Sequence, residues 1–216
     1  RDHALQADAE KLRGAAASLH ESLSACLSAQ SDDQLRGVEG SAASAYFQVF
    51  DEMVLREKQA FAFHGRSRRP PLDRTNALLS FAYSLLTSDC AAALRGVGLD
   101  PYVGFMHVDR PGRKSLALDL VEELRPVCAD RFVLTLVNNR VLSPGDFVVQ
   151  ESGAVLLTDE ARRTFLSEWQ KRKRETLTHP YLDEKIEWGL VPHVQALLLA
   201  RYVRGDLDQY PPFLWK

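Results

Sequence analysis

Thr75-Asn-Ala-Leu-Leu-Ser-Phe-Ala-Tyr-Ser-Leu-Leu-Thr-Ser-Asp-Cys-Ala-Ala-Ala-Leu-Arg95 is the stretch that sets the fold class. It is a strongly apolar run without Pro or Gly, it predicts a long helix, and Gly96-Val97-Gly98 ends it with a turn. Toward the N-terminus, Phe61 to Asp73 holds two adjacent prolines and four basic groups and reads as an exposed loop. Before it, a helix is expected from about Leu35 or Glu39 through Lys58, with Ala42, Ala45, Tyr46, Val49, Phe50 and Met53 inward. Ser31-Asp32-Asp33 is a break with capping residues. Ala4 to Gln30 places Leu5, Leu12, Leu19, Leu23 and Leu27 at helical intervals.

Toward the C-terminus, Gly104 to Arg113 is a loop with a Pro111-Gly112 turn. Ser115 to Leu124 is a short helix stopped by Pro126, and Ala129 to Asn138 continues as a buried helix. Phe147-Val148-Val149 and Ala154-Val155-Leu156-Leu157 flank Gly153 as a small hairpin. Thr158-Asp159-Glu160 caps a helix to about Glu175, a last helix covers Val191 to Arg204, and a Pro-rich tail ends at Lys216. The fold class is mainly α, a single helical domain over 1–216.

The bulk numbers agree with a globular domain: 216 residues, 45% hydrophobic and 26% charged. Apolar runs such as Val194 to Ala200 and Val133 to Val137 are too short to span a bilayer, and Arg1 to Glu10 lacks an apolar h-region. A cytoplasmic protein with no membrane partner is expected. Cys26, Cys90 and Cys128 lack metal-type spacing and read as buried free thiols. The net charge of −2 gives no global pull toward nucleic acid. Two local basic patches remain, His64-Gly65-Arg66-Ser67-Arg68-Arg69 and Lys171-Arg172-Lys173-Arg174. Arg66, Arg68 and Arg69 are either bidentate donors for phosphates or solvated surface charge, and the second run sits on an exposed helix, where the surface-charge reading is the stronger.

On a helix, Asp119, Glu122 and Glu123 fall at i, i+3 and i+4, so three carboxylates share a face. They are either a solvated stripe or a site that wants a cation. His107, between Met106 and Val108, is either a loop histidine or a ligand. Glu39, flanked by small and apolar residues, serves either the helix dipole or a site. One imidazole with several carboxylates suits Mg²⁺ or Mn²⁺ better than zinc. Spacing alone leaves each alternative open.

Four blocks narrow them. Gly37-Val38-Glu39-Gly40 followed by Ala45-Tyr46-Phe47, then Arg69-Pro-Pro-Leu-Asp73-Arg-Thr-Asn76-Ala-Leu-Leu-Ser80, then Gly98-Leu-Asp100-Pro-Tyr-Val-Gly104-Phe-Met-His107, and finally Ser115 to Pro126 resemble, in order, the signature blocks of the CRISPR-associated integrase. The part after Gln150 is similar to its subtype I-C branch. The resemblance implies an α-helical catalytic domain of a metal-dependent DNA endonuclease and integrase, which inserts spacers into a CRISPR array. It implies Glu39, His107 and Glu122 as ligands of Mg²⁺ or Mn²⁺, with Asp119 as a supporting catalytic carboxylate and Glu123 as the alternative third ligand. Asn76, Tyr83, Arg66, Arg68 and Arg69 carry over as site-support and DNA-contact residues. The implied partners are spacer-precursor and repeat DNA, a second copy in the full-length protein, and a small ferredoxin-like adaptation subunit. The family's N-terminal β-rich dimerisation domain has no counterpart here, so the chain, which does not start with Met, is expected to be a fragment that is monomeric and integrates poorly by itself. A non-catalytic helical DNA-binding or assembly module is the alternative function.

Overall fold

The computed structural model describes residues 8–215; Leu5 and the expected helix start at Ala4 lie outside them. The secondary structure is helix with two small hairpins. In chain order the elements are α1 (Ala9–Ser28), α2 (Asp32–Gln48), α3 (Arg74–Gly96), α4 (Ser115–Leu124), α5 (Arg131–Asn138), β1 (Phe147–Val149), β2 (Val155–Leu157), α6 (Asp159–Arg174), β3 (Thr176–Thr178), β4 (Lys185–Glu187) and α7 (Val191–Val203). The chain divides into two compact units, residues 1–78 with 134–158, and residues 79–133 with 159–216.

In the first unit, Asp8 and Ser31 cap α1 and α2 through their side-chain oxygens, satisfying backbone N–H groups that a helix start leaves unpaired. Neither helix buries a single residue, and Leu23 and Leu27 are exposed. The second helix ends at Gln48, ten residues before the position the sequence suggests. Tertiary bonding overrides the local pattern there. Asp51 accepts from the backbone N–H of Phe63 at 2.7 Å, and Phe50 turns onto Phe63 with ring centroids 4.9 Å apart. The loop after Phe61 is accordingly less exposed than expected, since Phe61 and Phe63 both belong to the core. β1 pairs antiparallel with β2, Val148 opposite Leu156, as the sequence implies.

The second unit is built on α4, whose Leu116, Ala117, Leu120, Val121 and Leu124 are buried. Pro126 does not end the helical path. The chain widens into a π-helical turn over Arg125–Asp130 and re-enters α-helix at Arg131. Proline lacks a donor and its ring crowds the preceding turn, and a wider turn relieves that conflict without a break. α6 buries Phe165 and Trp169 against Phe132, with ring centroids 5.2 and 5.1 Å away. β3 pairs with β4 in a second hairpin that the sequence does not announce. Its strands, Thr-Leu-Thr and Lys-Ile-Glu, are too short and polar to show a period. α3, at 23 residues, is long and apolar enough by composition to cross a membrane, but half of its most apolar stretch is buried inside the protein, as in a core helix.

Candidate metal-binding site

The loop before α4 is shaped by one carboxylate. Asp119 Oδ2 accepts from the backbone N–H groups of Phe105 (2.6 Å) and Met106 (3.1 Å), and Oδ1 accepts from that of His107 (2.9 Å). Oδ1 also lies 2.7 Å from His107 Nδ1. A carboxylate offers about four lone-pair sites, so these four contacts use it fully. Asp119 is therefore a positioning residue, with no lone pair left over for a cation. Because a carboxylate only accepts, Nδ1 carries the proton, and Nε2 is the nitrogen able to ligate. Gly104 makes the close approach possible: a Cβ there would stand 2.7 Å from Ser115 Cβ and 2.9 Å from Asp119 Oδ2.

Glu122 follows one turn along α4. Its Oε1 and Oε2 accept from Arg125 Nη1 at 2.9 and 2.7 Å. Arg125 in turn lies over the ring of Tyr83, 5.7 Å from its centroid, and Tyr83 donates its hydroxyl proton to the fully buried Asp130 at 2.5 Å. Tyr83 thus braces this side of the unit through its hydroxyl. Glu123 is committed elsewhere. It accepts from Tyr210 Oη (2.5 Å), Gln195 Nε2 (3.1 Å) and the backbone N–H of Phe213 (3.2 Å), fastening the C-terminal segment to α4.

That fastening belongs to a buried polar network that sequence reading does not find. Gln195 and His179 are both fully buried, with His179 Nε2 3.0 Å from Gln195 Oε1. The backbone N–H groups of Tyr181 and Leu182 donate to His179 Nδ1, so Nε2 holds the proton and the ring is neutral. Burial pushes the His179 pKa down, and burial next to Glu123 pushes the Tyr210 hydroxyl up. Glu123, His179, Gln195 and Tyr210 are bonded across separations of 15 to 87 positions along the chain, and no local pattern ties them together.

The remaining candidates separate by unit. In the first unit, Asn76 is fully buried and donates to Gly65 O (2.8 Å) and Asp73 Oδ2 (2.6 Å). Its Oδ1 accepts from Arg66 Nη1 (2.6 Å) and the Ser67 N–H (3.1 Å). Asn76 and Arg66 therefore organise their own loop, whereas His64, Arg68 and Arg69 are exposed. Glu39 is an exposed residue of α2. In the second basic run, Lys173 is not plain surface charge, because it pairs with Asp89 at 2.9 Å. Arg172 lies over Trp188 and pairs with Glu175. Cys90 and Cys128 are buried, with the Cys128 thiol pushed up to about 12 by burial, but Cys26 is only half-buried.

Among the described residues, no three His, Cys, Asp or Glu side chains are gathered so as to hold a metal ion. What fits a divalent cation is the chemistry at His107, an imidazole locked by a carboxylate on one nitrogen with the other presented. This is the arrangement that orients histidine ligands in metal sites. Comparison with known proteins bears on the family. The model of the family described as CRISPR associated protein Cas1 matches residues 1–171. The CRISPR-associated endonuclease Cas1 2 of Rhodospirillum rubrum is 61% identical over 189 residues, covering 88% of this chain and 55% of that protein. A casposase bound to its integration product superposes with a TM-score of 0.79 at 28% identity, over 88% of this chain and 52% of that one. A partial Cas6-RT-Cas1–Cas2 complex gives 0.80 at 26% identity, over 98% of this chain and 62% of that one. The chain thus spans a little over half the length of this curated relative. Its sequence and its fold agree, and the chain belongs to the CRISPR-associated Cas1 family.

Proposed function

We propose that the chain is the catalytic domain of a divalent-metal-dependent DNA integrase and endonuclease of CRISPR adaptation. The reaction is transesterification: the 3′-hydroxyl oxygen of a short spacer DNA forms a bond to a repeat phosphorus. The bond from that phosphorus to the departing strand's 3′-oxygen breaks, and that oxygen takes up a proton. Water in place of the hydroxyl gives cleavage. Bound Mg²⁺ or Mn²⁺ would supply Lewis-acid polarisation of the scissile phosphate. The observation that carries the reading is the His107–Asp119 pair, at 2.7 Å, which fixes the tautomer and makes Nε2 the nitrogen able to ligate.

In this reading His107 ligates through Nε2, while Asp119 holds the ring and the loop in place. Glu122, one turn along α4 from Asp119 and paired with Arg125, enters as a second ligand on the family resemblance. Glu39 enters as the third ligand on the family resemblance alone. Exposed Arg68 and Arg69 meet DNA phosphates. Arg66, Asn76 and Tyr83 serve by bracing rather than by contact. The similar structures, a casposase bound to its integration product and a Cas1–Cas2 complex, support a nucleic-acid substrate, and the family resemblance makes it spacer and repeat DNA. The Cas1–Cas2 complex supports a Cas2 subunit as partner, while a second copy and the ferredoxin-like character of that small adaptation subunit rest on the family resemblance alone. The test is His107→Ala. Mn²⁺-dependent cleavage and half-site integration should vanish while the circular dichroism spectrum is unchanged. An undiminished rate in the folded variant would overturn the assignment.

A further inference from the structure

The second unit also carries an open groove of about 830 Å³, lined by strand β3, by the C-terminal segment from Pro211 to Trp215, and by Arg131 and Arg172. Among the described residues the β3–β4 sheet has two strands. Leu177 faces Ile186, and the flanking bonds run from His179 N–H to Glu184 O (2.8 Å) and from Trp188 N–H to Glu175 O (2.9 Å). Antiparallel alternation therefore turns the peptide groups of Thr176 and Thr178 away from β4. Both residues are exposed and both line the groove, so β3 presents open-edge donors and acceptors there.

The side chains add a charge preference. Two guanidiniums line the groove, and among the described residues no carboxylate does. Each guanidinium lies over an indole: Arg172 is 4.5 Å from the Trp188 ring centroid, and Arg131 is 5.0 Å from that of Trp215. One face of each indole is thereby taken by a guanidinium and withdrawn from stacking on a nucleobase, which favours a peptide over single-stranded nucleic acid. Exposed Tyr181 and Leu214 leave apolar surface for alternate side chains. We infer that this groove docks an extended, acidic peptide segment of a partner protein. The segment adds as a third strand along β3 and turns its carboxylates toward Arg131 and Arg172, where they compete with Glu175 for Arg172. The inference does not depend on the metal site.

Fluorescence anisotropy with the unmodified chain tests it, using a labelled peptide of about eight residues, a strand's length, that alternates Glu with Val. Its comparators are the same peptide N-methylated on alternate amides, a Lys–Val counterpart and a short oligothymidylate. The acidic peptide should bind saturably and more weakly as salt rises, and N-methylation on the strand-facing amides should weaken it about tenfold. The double variant R131Q/R172Q should lose about tenfold for the acidic peptide while keeping the N-methyl sensitivity. Equal binding of the N-methylated and parent peptides would overturn strand addition. No binding of the acidic peptide up to about 1 mM, or oligothymidylate binding where the peptide does not, would overturn the inference as a whole.

Discussion

Two loops, one in each unit, are each organised by a single polar side chain from the helix that follows, and they end in opposite states. Asn76 of α3 gathers residues 65–73, and Asp119 of α4 gathers residues 105–107. An amide both donates and accepts, so Asn76 takes a carbonyl, a carboxylate, a guanidinium and an N–H, and the loop closes on itself. A carboxylate only accepts. Asp119 therefore collects N–H groups, fixes the proton on His107 Nδ1 and leaves Nε2 for something else. The first device engages Asn76 and Arg66 within the loop, and the second leaves one ring nitrogen able to ligate.

Removing the acceptor should have the larger consequence. Asp119→Ala strands three backbone N–H groups and frees the imidazole. It should weaken Mn²⁺ binding about 10–100-fold and cost roughly 2–4 kcal/mol of stability. Titration calorimetry and urea unfolding would read the two effects, and intact Mn²⁺ affinity would erase the distinction between the loops. Asn76→Ala should cost about 2–3 kcal/mol, because the amide is fully buried and every bond it makes is lost. Its Mn²⁺ affinity should stay unchanged, and a fall in affinity would show that the first loop also presents a ligand. Gly104→Ala should cost about 1–3 kcal/mol through the clash with Ser115 and should move His107 with it. A variant as stable as the parent would mean the loop does not press on α4 as described.

How much of this was legible depended on range along the chain. Helices α3, α4 and α6 and the β1–β2 hairpin follow from local periodicity and capping, and their expected bounds are close to the observed ones. The early end of α2 was not legible, because it is decided by Asp51 reaching Phe63. Pro126 misled for a related reason: a proline rule assumes an α-turn, and the chain adopts a π-turn. At the site, the sequence brought out His107 and Asp119 as separate candidates, and their contact at 2.7 Å needed the fold. Asn76 and Arg66 enter on the family resemblance, and the long-range loop bonds they make are ones that no spacing reveals.

The network at His179 offers a third organiser with which to sharpen the contrast. The ring is buried neutral, so its folded pKa lies below its unfolded value near 6.5. The unfolded chain then binds more protons across that window. The stability it contributes is full above about pH 6.5 and is lost as pH falls through the folded pKa. Acid should therefore loosen the C-terminal segment, and tryptophan emission from Trp188 and Trp215, which pack edge to face at 5.2 Å, should report it. His179→Gln with an unaltered acid profile would remove His179 from the explanation. The smallest effect should come from R68Q/R69Q, which lowers the log–log salt slope of duplex binding by about 0.9 per lost phosphate contact and leaves the fold intact. An unmoved slope would make these two residues ordinary surface charge.

The most direct test of the presented nitrogen is long-range ¹H–¹⁵N NMR of the histidine rings, with His107→Gln to assign the signal. The account predicts that His107 is protonated on Nδ1 and bare on Nε2. On adding substoichiometric Mn²⁺, its ring signals should broaden before those of His20, His64, His179 and His193. A His107 protonated on Nε2, or one whose signals stay sharp while another histidine broadens first, would contradict the central claim.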